Sequence, residues 1–254
     1  MALSKETNTI LDRYVDYISS YSNADRVVKV LAYACGIAAA IARRRANGKT
    51  TPTSKGMDQM AGQLAMSRVA FRVMGVPQAL EGIKNDSWGG GWEDPKVKAI
   101  CRIQAWSMVF YHGLEHVGWA ASVAPGLVKL DSEWWFARSD WAWLLFCLVD
   151  VYSNLVKQRE LRRKEDALRA QLKDCPASEA LRIEQELTRL AGLRRYVALM
   201  QWRMVYYIPN AIHWTKKKGP LPQWLVAVLG IAEALVASKQ NFPAPTPAPA
   251  SKDA

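Results

Sequence analysis

Residues Tyr206–Ser238 read YYIPNAIHWTKKKGPLPQWLVAVLGIAEALVAS, and the two halves differ in kind. The first gathers Tyr206, Tyr207, Trp214, Lys216, Lys217 and Lys218 into an aromatic and basic collar before a Gly-Pro turn. The second is apolar from Leu221 to Ser238, with Glu233 as its one acid. Rings and lysines collect where an apolar segment meets lipid headgroups. Eighteen helical residues cover about 27 Å, close to the roughly 30 Å of a hydrocarbon core. The stretch predicts a transmembrane helix behind an interfacial anchor. Glu233 lies five residues from the end of the run, so its carboxylate is expected to reach the interface. A core helix in a soluble bundle carries the same periodicity and stays open as the alternative.

Composition widens the picture. The chain has 254 residues, half of them hydrophobic, and a net charge of +11. That balance favours anionic partners, phospholipid headgroups or nucleic acid. The 11 tryptophans suit a membrane interface better than a DNA-binding domain, and no recognition module surrounds the basic clusters, so nucleic acid is not expected. The cysteines at 35, 101, 147 and 175 are far apart and form no C-x-x-C pair, which argues against a disulfide framework and for a reducing compartment. The N-terminal segment has no apolar stretch of signal-peptide length, and SKDA is not an S-K-L address.

Helical spacing dominates the chain and predicts an all-α, membrane-associated fold. Residues 1–84 form an N-terminal amphipathic region, with helices over about 6–21, 24–45 and 57–84 and a loop at 46–56. Ser22, Asn23 and Asp25 are the candidate caps of the second helix. Residues 85–95 are a glycine and tryptophan loop, and 96–156 hold membrane-embedded or interfacial helices. Residues 157–195 alternate in charge, which reads as a solvated helical hairpin or a coiled-coil partner site. Residues 196–238 are the collar and its apolar helix, and 239–254 a disordered Pro/Ala tail.

The helix at 57–84 is the candidate membrane-binding element. Met66, Val69, Val73, Val76, Leu80 and Ile83 recur at alternating spacings of three and four, with Phe71 beside them. Arg68 and Arg72 flank the stripe. Such a helix dips its apolar face into acyl chains and lays its arginines on phosphates. An ordinary amphipathic core helix has the same pattern. Pro77 is expected to kink it or to start a second segment.

Motifs for bond chemistry are sparse. His112-Gly-Leu-Glu115-His116 matches the inverted zinc-protease pattern, in which two histidines on one helix face hold zinc and the glutamate is the base. The remaining histidine, His213, falls in the collar, so a zinc hydrolase is only a remote alternative. Gly48-Lys49-Thr50 lacks the upstream glycine of a phosphate loop, with Arg43 in its place. No metal or cofactor is expected.

Four segments in order resemble the peroxin-eleven family of peroxisomal membrane elongation factors. Asn23–Tyr33 is similar to the family's G-R-D-K-x-x-R-x-x-Q-Y: Asp25 and Tyr33 agree, Arg26 and Lys29 are like-charged, and the glycine is absent. Ser67–Gly75 resembles S-R-K-x-F-R-x-G-K, the family's membrane-inserting helix. Gly113–Ala120 resembles D-H-x-x-W-L with Glu115 for the aspartate, and Ile208–Trp214 resembles the C-terminal signature. The resemblance implies an integral protein of peroxisomes or glycosomes, with no enzymatic activity, that elongates the organelle before division. Its implied partners are anionic phospholipid, other copies of the chain and the fission machinery. The runner-up implied by the family is a channel or permeability factor for small metabolites.

Overall fold

In the computed structural model, residues 9–88, 92 and 94–242 are described, apart from the side chains at 174 and 177. The central glycines of the loop at 85–95 and all of the tail beyond 242 therefore lie outside the described residues. The helices are α1 (Ile10–Ser19), α2 (Tyr21–Arg45), α3 (Pro52–Phe71), α4 (Gly75–Lys84), α5 (Pro95–Val123), α6 (Ser132–Asp174), α7 (Ala177–Trp214) and α8 (Gln223–Asn241). Among the described residues there is no strand. The all-helical expectation holds.

Local chemistry sets many of the ends. Thr9 and Asp12 form a reciprocal capping box at α1, and Thr51 and Ser54 do the same at α3, where Pro52 occupies the first turn. Helix α3 thus starts five residues before the expected 57. Helix α2 starts at Tyr21, ahead of the three candidate caps, and Ser20 makes no side-chain cap bond there. Asn47 and Gly48 adopt positive φ of 52° and 82° in the turn that follows Arg45.

The expected helix at 57–84 is broken. A single 3₁₀ turn, Arg72–Met74, separates α3 from α4. Pro77 falls in the first turn of α4, where a missing N–H costs little. Helices α6 and α7 run without a break across 156/157 and 195/196, so the charged hairpin is an extension of the bundle helices. Leu161, Leu190 and Val197 form its core, and the two arms pack on each other.

The helices close into a ring. Helix α2 packs on α3, α4 on α5, α5 on α6, α6 on α7 and α7 on α8, and α8 returns to α2; α3 also meets α5. The polarity of the ring is inverted. Lys29, Gln104, Glu115, Asp150, Asn154, Asn210 and Glu233 are buried. Outward stand Ile103, Trp106 and Phe110 on α5, then Trp141, Leu145, Leu148, Tyr152 and Leu155 on α6. Trp202, Val205 and Ile212 on α7 continue this apolar exterior, as do Trp224, Val228 and Leu235 on α8.

The expected transmembrane helix at Leu221–Ser238 is not found. Leu221 and Pro222 precede α8, which gains Lys239, Gln240 and Asn241 at its other end. Among the described residues no helix is long and apolar enough to cross a membrane. Glu233 does not reach for an interface either. It is fully buried, on the same face as Val226, Gly230 and Ala237, against α2.

Gly230 permits that approach. A Cβ there would lie 2.1 Å from the Tyr33 ring. Gly230→Ala is expected to cost about 1–3 kcal/mol through overpacking. Gly36, mid-helix in α2 with nothing within 4 Å of a Cβ, is the control: Gly36→Ala is expected to gain about 0.5–1 kcal/mol from helix propensity. Denaturant titration of both variants reads the difference.

Candidate functional site

Helix α2 presents a polar ladder to the inside of the ring at one-turn intervals, Asp25, Lys29 and Tyr33. Each of the first two anchors a separate ion network. Asp25 accepts a two-pronged bond from Arg68 of α3, both contacts at 2.9 Å, and lies 3.8 Å from Arg72. Arg72 in turn donates to Tyr111 at 2.7 Å and Glu115 at 2.5 Å, both on α5, and Tyr111 donates to Glu115 at 2.9 Å. Burial pushes the Asp25 carboxyl up, but Arg72 and Arg68 outweigh it and hold the group below its usual range.

Lys29 pairs with Glu233 of α8, and Arg203 of α7 donates to the same carboxylate at 2.8 Å. Lys29 also sits 4.7 Å above the Tyr207 ring, and Arg203 lies 5.7 Å from it. Burial raises the Glu233 carboxyl, yet the charges of Lys29 and Arg203 prevail and leave it lowered. The two networks join five of the eight helices through α2.

Between them lies a cavity of about 880 Å³, bounded by Tyr21, Arg26, His112, Asp140, Tyr207 and Trp214 among others. Burial, with Glu115 close by, pushes the Asp140 carboxyl up to about 8. Burial and Arg72 push His112 down to about 4. Both are neutral at pH 7.

The candidate residues divide into inner and outer sets. Met66, Arg68, Val69 and Arg72 line the cavity. Phe71, Val73, Met74 and Leu80 stand outward, Phe71 68% exposed and Met74 58%. Val76 and Ile83 are half-buried. One 3₁₀ turn advances three residues per revolution instead of 3.6, so the stripe does not stay on one face. The arginines expected on phosphates are engaged within the protein.

The collar divides likewise. Tyr207 and Trp214 pack around Trp143 at centroid distances of 4.9 and 5.6 Å, inside the ring, and Tyr206 is half-buried. Lys216, Lys217 and Lys218 are exposed, with Lys217 2.5 Å from Glu133. The H-x-x-E-H residues do not converge as ligands. His116 Nδ1 is 2.6 Å from the His112 carbonyl of its own helix, His112 abuts Gly75, and His213 Nδ1 accepts from the Leu221 N–H. Among the described residues no group of three or more His, Cys, Asp or Glu is placed to hold a metal ion.

The family model described as Peroxisomal biogenesis factor 11 (PEX11) matches residues 11–242. The chain belongs to this family. It is 24% identical over 239 residues to peroxisomal membrane protein 11C of Homo sapiens, covering 88% of this chain and 90% of the relative. It is 22% identical over 237 residues to the mouse protein of the same name, covering 91% and 94%. No solved structure matches it. Membership in the PEX11 family makes it a peroxisomal membrane protein with a role in peroxisome proliferation and membrane elongation.

The segments that carried the PEX11 resemblance meet inside the ring. Asp25 of the first, Arg68 and Arg72 of the second and Glu115 of the third form one network. From the fourth, Asn210 donates to the Val226 carbonyl at 3.1 Å, fixing α7 to α8. Sequence reasoning missed Tyr111, Arg203 and the partnership of Lys29 with Glu233. The available signal was the four-residue spacing of Asp25, Lys29 and Tyr33, which puts three polar groups on one face of a largely apolar helix.

Proposed function

We propose that this chain elongates the peroxisomal membrane by driving an apolar knuckle, Phe71, Val73, Met74 and Leu80, into one leaflet. The supporting observation is the split at the 3₁₀ turn: these four side chains point outward while Arg68 and Arg72, within the same stretch, are clamped to Asp25 and Glu115. A wedge needs a rigid base, and the clamp supplies one. Full burial of such a side chain is worth about 1.5–3 kcal/mol, so four half-exposed ones supply several kcal/mol. Area added to one leaflet is relieved by curvature.

The outward stripes of α5 to α8 hold the body against lipid in this reading. Exposed apolar bands of that length are unusual for a protein surrounded by water, and buried, paired ionisable groups are what a lipid environment tolerates. The net charge of +11 favours an anionic leaflet.

The test separates attachment from remodelling. In cells lacking the protein, Phe71→Glu with Met74→Glu is expected to reach peroxisomes as wild type does yet leave them short. Purified, the variant is expected to lose vesicle tubulation with unchanged helicity. Wild-type elongation by this variant would sink the wedge.

A further inference from the structure

The cavity inside the ring has features that the wedge does not use. Its volume of about 880 Å³ is in the range of ligand pockets, about 300–1,000 Å³. Its lining changes character along α2. Near Tyr21 and Arg26 it is polar, and further along it is bounded by Ala32, Gly36 and Ala40 of α2 facing Ala61 and Ala65 of α3. This arm of small residues is a groove, open along its side at the exposed Ala65 and at its end at the paired Arg43 and Asp58, whose side chains are 35% and 47% exposed. From Tyr21 to Arg43 the lining follows α2 for about 33 Å.

The polar end lacks partners. Tyr21 Oη, His112 Nδ1 and Glu115 Oε2 are all buried without a hydrogen bond, and His112 and Glu115 are more than nine-tenths buried. His112 Nδ1 and Glu115 Oε2 are 4.0 Å apart, too far to satisfy each other. Charge is also unbalanced. Among the described residues, Arg26, Lys29, Arg68 and Arg72 line this end and outnumber the carboxylates paired with them, Asp25, Glu115 and Glu233, while burial pushes Asp140 up to about 8. Among the described residues, half-buried Arg26 has the neutral Asn23 as its one hydrogen-bond partner. Excess buried positive charge is costly unless an anion joins it.

We propose that the ring binds a single-chain anionic amphiphile, its carboxylate or phosphate head beside Arg26 and Tyr21 and its tail in the Ala/Gly arm between α2 and α3. The small residues of the arm leave room for an alkyl chain, which enters from the open side or past Arg43 and Asp58. Tyr21 and protonated Asp140 donate to the head, and Arg26 neutralises it. This site stands independently of the wedge, since none of its residues belongs to the outward knuckle.

The test is photolabelling of the full-length protein in nanodiscs. Palmitate, lysophosphatidate and hexadecanol serve as probes, each with a diazirine at the chain end, and labelled peptides are mapped. The anionic probes are expected to label the α2 and α3 segments that line the arm. Gly36→Leu fills the arm at a position with open space, and is expected to cut that labelling about tenfold with the melting temperature retained. Arg26→Gln is expected to weaken labelling by the anionic probes. Labelling by palmitate alone or lysophosphatidate alone identifies the head. Labelling confined to the outward stripes of α5–α8, insensitive to Gly36→Leu, or equal for hexadecanol overturns the proposal. Loss of elongation in the Phe71→Glu, Met74→Glu variant with arm labelling intact would bear on the wedge alone.

Discussion

Glu233→Ala is expected to destabilise the protein by about 3–5 kcal/mol, because it leaves two cations buried without their shared carboxylate. Lys29 and Arg203 both point at Glu233, and neither has another acid in contact among the described residues. Domains of this kind hold only about 5–15 kcal/mol in total, so the variant is expected to unfold at much lower denaturant. Glu233→Gln keeps the volume and tests the charge alone; it is expected to be nearly as damaging. Replacing all three residues by apolar ones of similar size is expected to recover much of the loss. The pH dependence has a definite sign. Glu233 is depressed below its ordinary 4.5 in the folded state, so its contribution is present above that pH and is lost as pH falls through the folded value. Circular dichroism across denaturant at pH 7 and pH 4 checks both statements. A loss under about 1 kcal/mol for Glu233→Ala would mean that water reaches the pair.

Arg72→Gln is the second large effect, again about 3–5 kcal/mol. It strips the charge from between Asp25 and Glu115 and takes the Tyr111 hydroxyl's donor away. Arg72→Lys keeps a charge but loses the planar fork, and is expected to recover part of the stability. The pair Arg72→Gln and Glu115→Gln, measured singly and together, is expected to show a coupling of about 0.5–3 kcal/mol. An arginine lying on lipid phosphate would behave differently. Its loss would weaken anionic-vesicle binding by about 1 kcal/mol and leave unfolding unchanged, and that outcome would place Arg72 at the surface.

Much of the fold was legible. Helical periodicity locates the helices, and composition places a loop at 46–56, of which the structure keeps 46–51. What failed was the assignment of faces. Arg68 and Arg72 looked like headgroup ligands because charged residues are expected outside, and in this ring they are inside. The apolar spacing from Met66 to Ile83 runs straight through the 3₁₀ turn, and Pro77 is the one residue in it that marks a break. Glu233 was read as an interfacial acid, since its partners Lys29 and Arg203 are 204 and 30 residues away. The early start of α3 was in view in Thr51-Pro52-Thr53-Ser54, whose capping box was obscured by its polar composition. The cavity left no trace in the sequence, because it depends on how seven helices meet.

The inverted polarity of the ring makes the order of its assembly matter. Taken one at a time, its helices are poor candidates for lipid: α8 would bring in an unpaired Glu233, α2 an unpaired Lys29 and α7 an unpaired Arg203, each costly in hydrocarbon. Within the closed ring each of the three has an opposite charge beside it, and the apolar bands stand on its outside. Burial of these charges is therefore a collective step, complete only when α2, α7 and α8 have met. A newly made chain that has not yet closed its ring exposes both its charges and its apolar bands. One that has closed it shows the bands alone, so closing the ring changes which surface the chain offers.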